Sequence, residues 1–194
     1  MNDHTGGAAI DAFPVPLIGI AAYSGTGKTT LLTRLLPLLK QEGLRIAVVK
    51  HAHHTFDMDQ PGKDSYELRA AGADEMLVAA RCRFGLIREC PDSDKEPRLA
   101  DALELLQPQR LDLVLVEGFK REAIPKIELH RAALHKPWLF PHDPNVIAIA
   151  SDNEASTEIP ADMPHLALDR VEDIARFILD YTGLANRRSA ISAR

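Results

Sequence analysis

Residues 21–32 read AAYSGTGKTTLL, and what stands on either side of them decides the fold. On the N-terminal side, LIGIAA (17–22) is a short apolar run of the kind that forms a strand buried on both faces. On the C-terminal side, from Lys28, leucines at 31, 32, 35, 36, 38 and 39 recur with helical spacing, and Gly43 suits the helix stop. Strand, glycine-bearing loop, then helix is the context in which S-G-T-G-K-T becomes a phosphate-binding loop rather than a string match. The start of a helix presents unpaired N–H groups and partial positive charge. Gly25 and Gly27 let the backbone aim successive amides at one anion. In this reading Ser24, Gly25, Thr26, Gly27, Lys28, Thr29 and Thr30 cradle the phosphates. Lys28 is the catalytic cation bridging β- and γ-phosphate oxygens, and the Thr29 hydroxyl ligates Mg²⁺. Ala22 stands where the usual pattern begins with glycine, and its methyl fits if φ there is negative and nothing crowds it. Pro37, inside the helix, is expected to bend it near the carbonyl of Thr33.

The same grammar continues downstream. RIAVVK (45–50) reads as a second buried strand, parallel to the first because a helix joins them. HAHHTFDMDQPGK (51–63) is a polar loop, and 64–73 a short helix capped by Asp64 or Ser65 and ended by Gly72. Residues 75–90 read as two tightly joined strands and 98–107 as a helix. LDLVLVEG (111–118) and VIAIAS (146–151) are buried strands, KIELHR (126–131) alternates like an edge strand, and 171–183 is a closing helix. The sum is a three-layer α/β phosphate-loop NTPase fold, a mostly parallel sheet flanked by helices. Residues 1–14 read as a flexible lead-in, 15–182 as the nucleotide-binding domain and 183–194 as a flexible tail.

Composition narrows the function classes. A chain of 194 residues suggests one domain with a substantial core. A net charge of −5 supplies no global basic field for nucleic acid or anionic membrane. No apolar run approaches the roughly 18 residues that span a bilayer, and the first residues lack the basic and apolar regions of an export signal. Two cysteines, Cys82 and Cys90, make neither a disulfide scaffold nor a four-ligand zinc set. A reducing cytoplasm is the expected compartment, and both are read as structural thiols.

Two further acids carry chemistry. Glu117 ends an aliphatic strand, followed by Gly118, where ligands of open α/β sheets collect. It is the candidate catalytic acid and second Mg²⁺ ligand, direct or through water. Asp152 closes the strand 146–151. Its carboxylate suits guanine, which offers N1–H and a 2-amino group, and leaves adenine unpaired at a penalty of about 1–3 kcal/mol. A strand-end aspartate capping a turn is the equal alternative. After the strand at 45–50, Lys50, His51, His53, His54, Asp57, Asp59, Lys63 and Asp64 fall within 15 residues, on a loop expected at the same rim as the phosphate loop. They read as contacts to nucleotide, Mg²⁺ or an anionic substrate, as a transition-metal site, or as a solvated loop.

Taken together, AAYSGTGKTTLL, KHAHHTFDMDQPGKDSYELRAAGA, LDLVLVEGFK and VIAIASD resemble the MobB family, adapters of molybdopterin-guanine dinucleotide biosynthesis, over residues 15–182. The resemblance implies GTP as the bound nucleotide with Mg²⁺, weak hydrolysis at most, a homodimer, and assistance to a MobA-type enzyme that joins GMP to molybdopterin. Carried over by position, it places residues 25–30 at the phosphates, Glu117 and Gly118 in the second nucleotide motif and Asp152 at the base. It also implies dimerisation through strands beyond the nucleotide core, for which 75–90 and KIELHR are the candidate edges. Two other classes use this fold. A small-molecule kinase needs a mobile arginine-bearing lid, with Arg81, Arg83, Arg88 and Arg98 available. A metal-delivery GTPase needs the histidine and aspartate loop at 51–64 as its cargo site.

Overall fold

The computed structural model describes residues 10–52, 57–90, 96–152 and 158–185. The chain divides into two compact units, one formed by residues up to His51 together with those from Arg98 onward, the other by Ala52–Pro97.

The larger unit is an all-parallel, six-stranded sheet. Its strands are β1 (Leu17–Ala21), β2 (Ile46–Lys50), β5 (Leu113–Glu117), β6 (Lys126–His130), β7 (Val146–Ser151) and β8 (His165–Ala167), in the spatial order β2-β5-β1-β6-β7-β8. Alternate side chains of the strands feed two separate cores, as the two-residue period requires. Ile18, Ile20, Leu113, Leu115, Ile127 and Leu129 pack with Leu31, Leu35 and Leu39 of helix α1 (Lys28–Gln41) and Ile174 and Ile178 of α4 (Val171–Tyr181). Leu17, Val114 and Val116 pack on the other side with Leu99 and Leu103 of α3 (Leu99–Glu104) and with Ile10 and Val15. The three-layer architecture read from the sequence is therefore present.

Several local expectations change. Ile10, assigned to a loose lead-in, is buried, and so is Leu184 of the expected tail; residues 1–9 and 186–194 lie outside the described part. β2 is a half-exposed edge rather than a buried strand, because β5 inserts between it and β1. KIELHR is not an edge: β6 lies between β1 and β7 with all five residues buried. Its alternation comes from three polar side chains, Lys126, Glu128 and His130, buried with partners rather than turned to water. The short strand β8 had no sequence signal.

The smaller unit holds α2 (Asp64–Ala70) and an antiparallel hairpin of β3 (Glu75–Ala80) and β4 (Arg83–Arg88). Lys63, with no side-chain bond, occupies the N-cap position of α2 expected for Asp64 or Ser65. Cys82 and Cys90 are both exposed, so neither is a buried structural thiol.

Candidate nucleotide site

The loop between β1 and α1 has the backbone its glycines promise. Gly25 and Gly27 take φ of 82° and 100°, a left-handed conformation that side chains resist. Gly27 is the residue before the 14-residue α1, so its turn aims the chain into the helix start. Thr26 is buried; its hydroxyl and its N–H both donate to the carbonyl of Tyr23, at 2.9 and 3.4 Å, closing the loop on itself. Thr26 is thus a loop staple. Ser24, Gly25, Thr29 and Thr30 face solvent. Ala22 is fully buried against the core of β1 and α1, with an ordinary φ, so its methyl serves packing.

Lys28 folds back over the loop. Its Nζ donates to the carbonyls of Ala22 and Tyr23 at 3.4 and 3.3 Å. Among the described residues no carboxylate pairs with it. A lysine resting on neutral carbonyls at a helix start leaves the loop with positive charge that no carboxylate among the described residues pairs.

β5 and β6 flank β1 on its two sides and bring the other groups. On the β5 side, Glu117 is buried, and Lys50 of β2, paired with it in register, reaches its carboxylate at 3.5 Å. Gly118 (φ 90°) must be glycine, because a Cβ there would come within 2.7 Å of the His51 Cβ. His51 stacks on Phe119 with ring centroids 4.8 Å apart, and its N–H donates to the Glu117 carbonyl. The donor set of hydroxyl and carboxylate, Thr29 with Glu117, is hard oxygen and suits Mg²⁺. On the β6 side, Arg131 donates from Nε to the carbonyl of Thr26 at 2.9 Å. Asp152 accepts the Ala132 N–H at 2.9 Å and lies 3.5 Å from the Arg131 guanidinium. Asp152 thus bonds the segment that follows β6, and through Arg131 it is tied to the phosphate loop; the residues after it, where a turn of its own would lie, are outside the described part.

Sequence reasoning set Lys50 on this rim with the loop that follows β2, but missed Arg131 and Lys120. The signal was their position: each stands at or just past the C-terminal end of a strand, where the sheet collects ligands. The loop 51–63 is divided. His51 belongs to the sheet unit, His53 and His54 lie outside the described residues, and Asp57 and Asp59 are held by Arg69 at 2.8 and 3.8 Å. Among the described residues no three His, Cys, Asp or Glu groups converge on a metal position. The arginines considered for a kinase lid are placed differently: Arg83 and Arg88 lie on β4, and Arg98 precedes α3, paired with Asp101.

A model of the family described as molybdopterin guanine dinucleotide synthesis protein B, MobB, matches residues 17–152, from the first strand to the acid beyond the seventh. The chain belongs to the MobB family. It is 45% identical over 168 residues to the molybdopterin-guanine dinucleotide biosynthesis adapter protein of Escherichia coli (strain K12), covering 86% of this chain and 93% of that protein. The adapter protein of Haemophilus influenzae (strain ATCC 51907 / DSM 11121 / KW20 / Rd) is 41% identical, over 84% of this chain and 88% of its own length. Among solved structures, a crystal structure of molybdopterin-guanine biosynthesis protein B superposes with a TM-score of 0.64 at 28% identity, covering 85% of this chain and 99% of that one. These three MobB relatives are thus each matched over most of their own length.

Proposed function

We propose that this MobB-family protein binds GTP with Mg²⁺ and acts as an adapter with weak GTPase activity. It assists a MobA-type guanylyltransferase in attaching GMP to molybdopterin. The observation that carries the reading is the loop at the head of α1, turned by Gly25 and Gly27, with Lys28 parked on its carbonyls. The names of the relatives supply the pathway. Lys28, with the amides of residues 24–30, would hold the phosphates, and Thr29 and Glu117 would hold Mg²⁺, which would neutralise charge on the phosphate chain. Asp152 is the proposed base contact. An ionised carboxylate has about four acceptor positions, so it can keep its bonds to Ala132 and Arg131 and still accept from guanine. Hydrolysis is slow in this reading, since no described residue is assigned to orient the attacking water.

The protein works as a cytoplasmic homodimer in this proposal, and the hairpin argues for a second copy. In the register Leu77↔Leu86 and Ala79↔Phe84, Leu77, Phe84 and Leu86 share one face. They are 59, 71 and 39% exposed. An isolated two-stranded ribbon with an apolar face is marginal alone, and a second copy of the same ribbon has the matching chemistry.

The test is a reconstituted assay of GMP transfer to molybdopterin by the purified guanylyltransferase. Adding this protein with GTP and Mg²⁺ is expected to raise the yield, and Lys28→Ala to abolish the gain. Equal stimulation by Lys28→Ala would separate the adapter role from nucleotide.

A further inference from the structure

Lys120, which no nucleotide motif accounts for, sits on the phosphate loop. The chain leaves β5 through two successive left-handed residues, Gly118 at φ 90° and Phe119 at φ 49°. The second is a strained conformation for an aromatic residue, of the sort that persists where surrounding structure imposes it. Phe119 is buried and stacked on His51, so the turn is held in place. Beyond this turn Lys120 reaches the loop that follows β1. The Lys120 ammonium lies 4.9 Å above the ring of Tyr23, the loop residue whose carbonyl receives Lys28.

Two ammonium groups therefore converge on one loop residue, Lys28 on its carbonyl and Lys120 over its ring. Among the described residues no carboxylate pairs with either. Partial desolvation of its ammonium, and then the neighbouring charge of Lys28, press the Lys120 amine below its ordinary range. Such an arrangement is unfavourable without an anion between the charges and favourable with one. Position says which anion. Lys120 follows β5, the strand that ends in Glu117, the proposed Mg²⁺ ligand. Arg131 arrives from the opposite side, with Asp152, the proposed base contact.

We propose that Lys120 is a second phosphate-binding cation, which grips the terminal phosphate of the bound nucleoside triphosphate and makes the site favour triphosphate over diphosphate. This rests on the phosphate-loop reading above. The turn at Gly118 and Phe119 is then part of the binding site, because it fixes where the ammonium stands.

The test is fluorescence titration with N-methylanthraniloyl GTP and GDP, in Mg²⁺, of the full chain, Lys120→Met, Lys120→Arg and Lys28→Ala. Lys120 is exposed, so its variants should fold, which circular dichroism checks. Lys120→Met is expected to weaken GTP about tenfold and GDP less than about threefold, the loss of one charge-assisted bond. Lys120→Arg should keep the preference. An unchanged ratio of GTP to GDP affinity in Lys120→Met, with both nucleotides still bound and Lys28→Ala still defective, overturns the assignment and leaves the phosphate loop standing. Failure of the unaltered protein to bind either nucleotide, or full binding by Lys28→Ala, overturns the phosphate-loop reading and this assignment with it.

Discussion

Lys126 is 2% exposed, and its ammonium reaches the Asp143 carboxylate at 2.6 Å. Its stem crosses β1 where Gly19 leaves space; a Cβ there would meet the Lys126 Cγ at 2.9 Å. A buried cation with one counter-charge is costly to orphan, so Asp143→Asn is expected to destabilise the fold by about 3–5 kcal/mol in urea denaturation. Burial alone would raise the Asp143 pKa, but the bonds from Lys126 and Asn145 outweigh it and hold the carboxyl below its usual range. The sign follows. A depressed carboxylate contributes stability above its unfolded pKa, about 3.9, and loses it as pH falls through the lower folded value. Denaturation curves across acid pH should therefore show this loss in the unaltered protein and lack it in Asp143→Asn. Gly118→Ala is a second residue-scale case, with both a left-handed φ and a 2.7 Å approach to His51 against it. It should destabilise by on the order of 1–3 kcal/mol, read from the same denaturation. Why such residues were illegible is plain: Lys126, Glu128 and His130 alternate with apolar neighbours as solvent-facing residues do. Their partners, Asp143, the N–H groups of Leu139 and Phe140, and the carbonyl of Lys136, come from a loop with no periodic signal.

At the scale of elements, what could be read was whatever local chemistry dictates. The leucine spacing of α1, the glycines before it and the aliphatic runs of β1, β5 and β7 each specify one conformation. Strand order is a non-local property, and that is where reading failed: nothing in RIAVVK says that β5 will separate it from β1. The hairpin is legible for the opposite reason, since its two strands are adjacent in sequence and pair directly. Its apolar face gives an element-scale prediction. If a second copy covers Leu77, Phe84 and Leu86, Phe84→Ser should convert dimer to monomer in sedimentation velocity while helix α1 and the nucleotide site remain intact. A protein that is monomeric before the substitution, or dimeric after it, contradicts the arrangement.

Over the whole molecule, one rim gathers the groups that the proposed function uses. The C-terminal ends of β1, β5, β6 and β7 deliver the phosphate loop, Glu117 with Lys120, Arg131, and Asp152, while two cores on opposite faces hold those ends in place. The loop and its acids were legible because glycine, lysine and strand-end acids are local signals. The cations Lys120 and Arg131 were not, because only the sheet order brings β5 and β6 beside β1. The account stands on the amide cup at the start of α1 holding a nucleoside triphosphate. Isothermal titration calorimetry with GTP and Mg²⁺, on the unaltered protein and on Lys28→Ala, tests it most directly. The account predicts one saturable site per chain, weakened at least about a hundredfold by the substitution, since the charged partner proposed for the phosphates is lost. Binding of equal strength in both proteins, or no heat of binding in either, would contradict it.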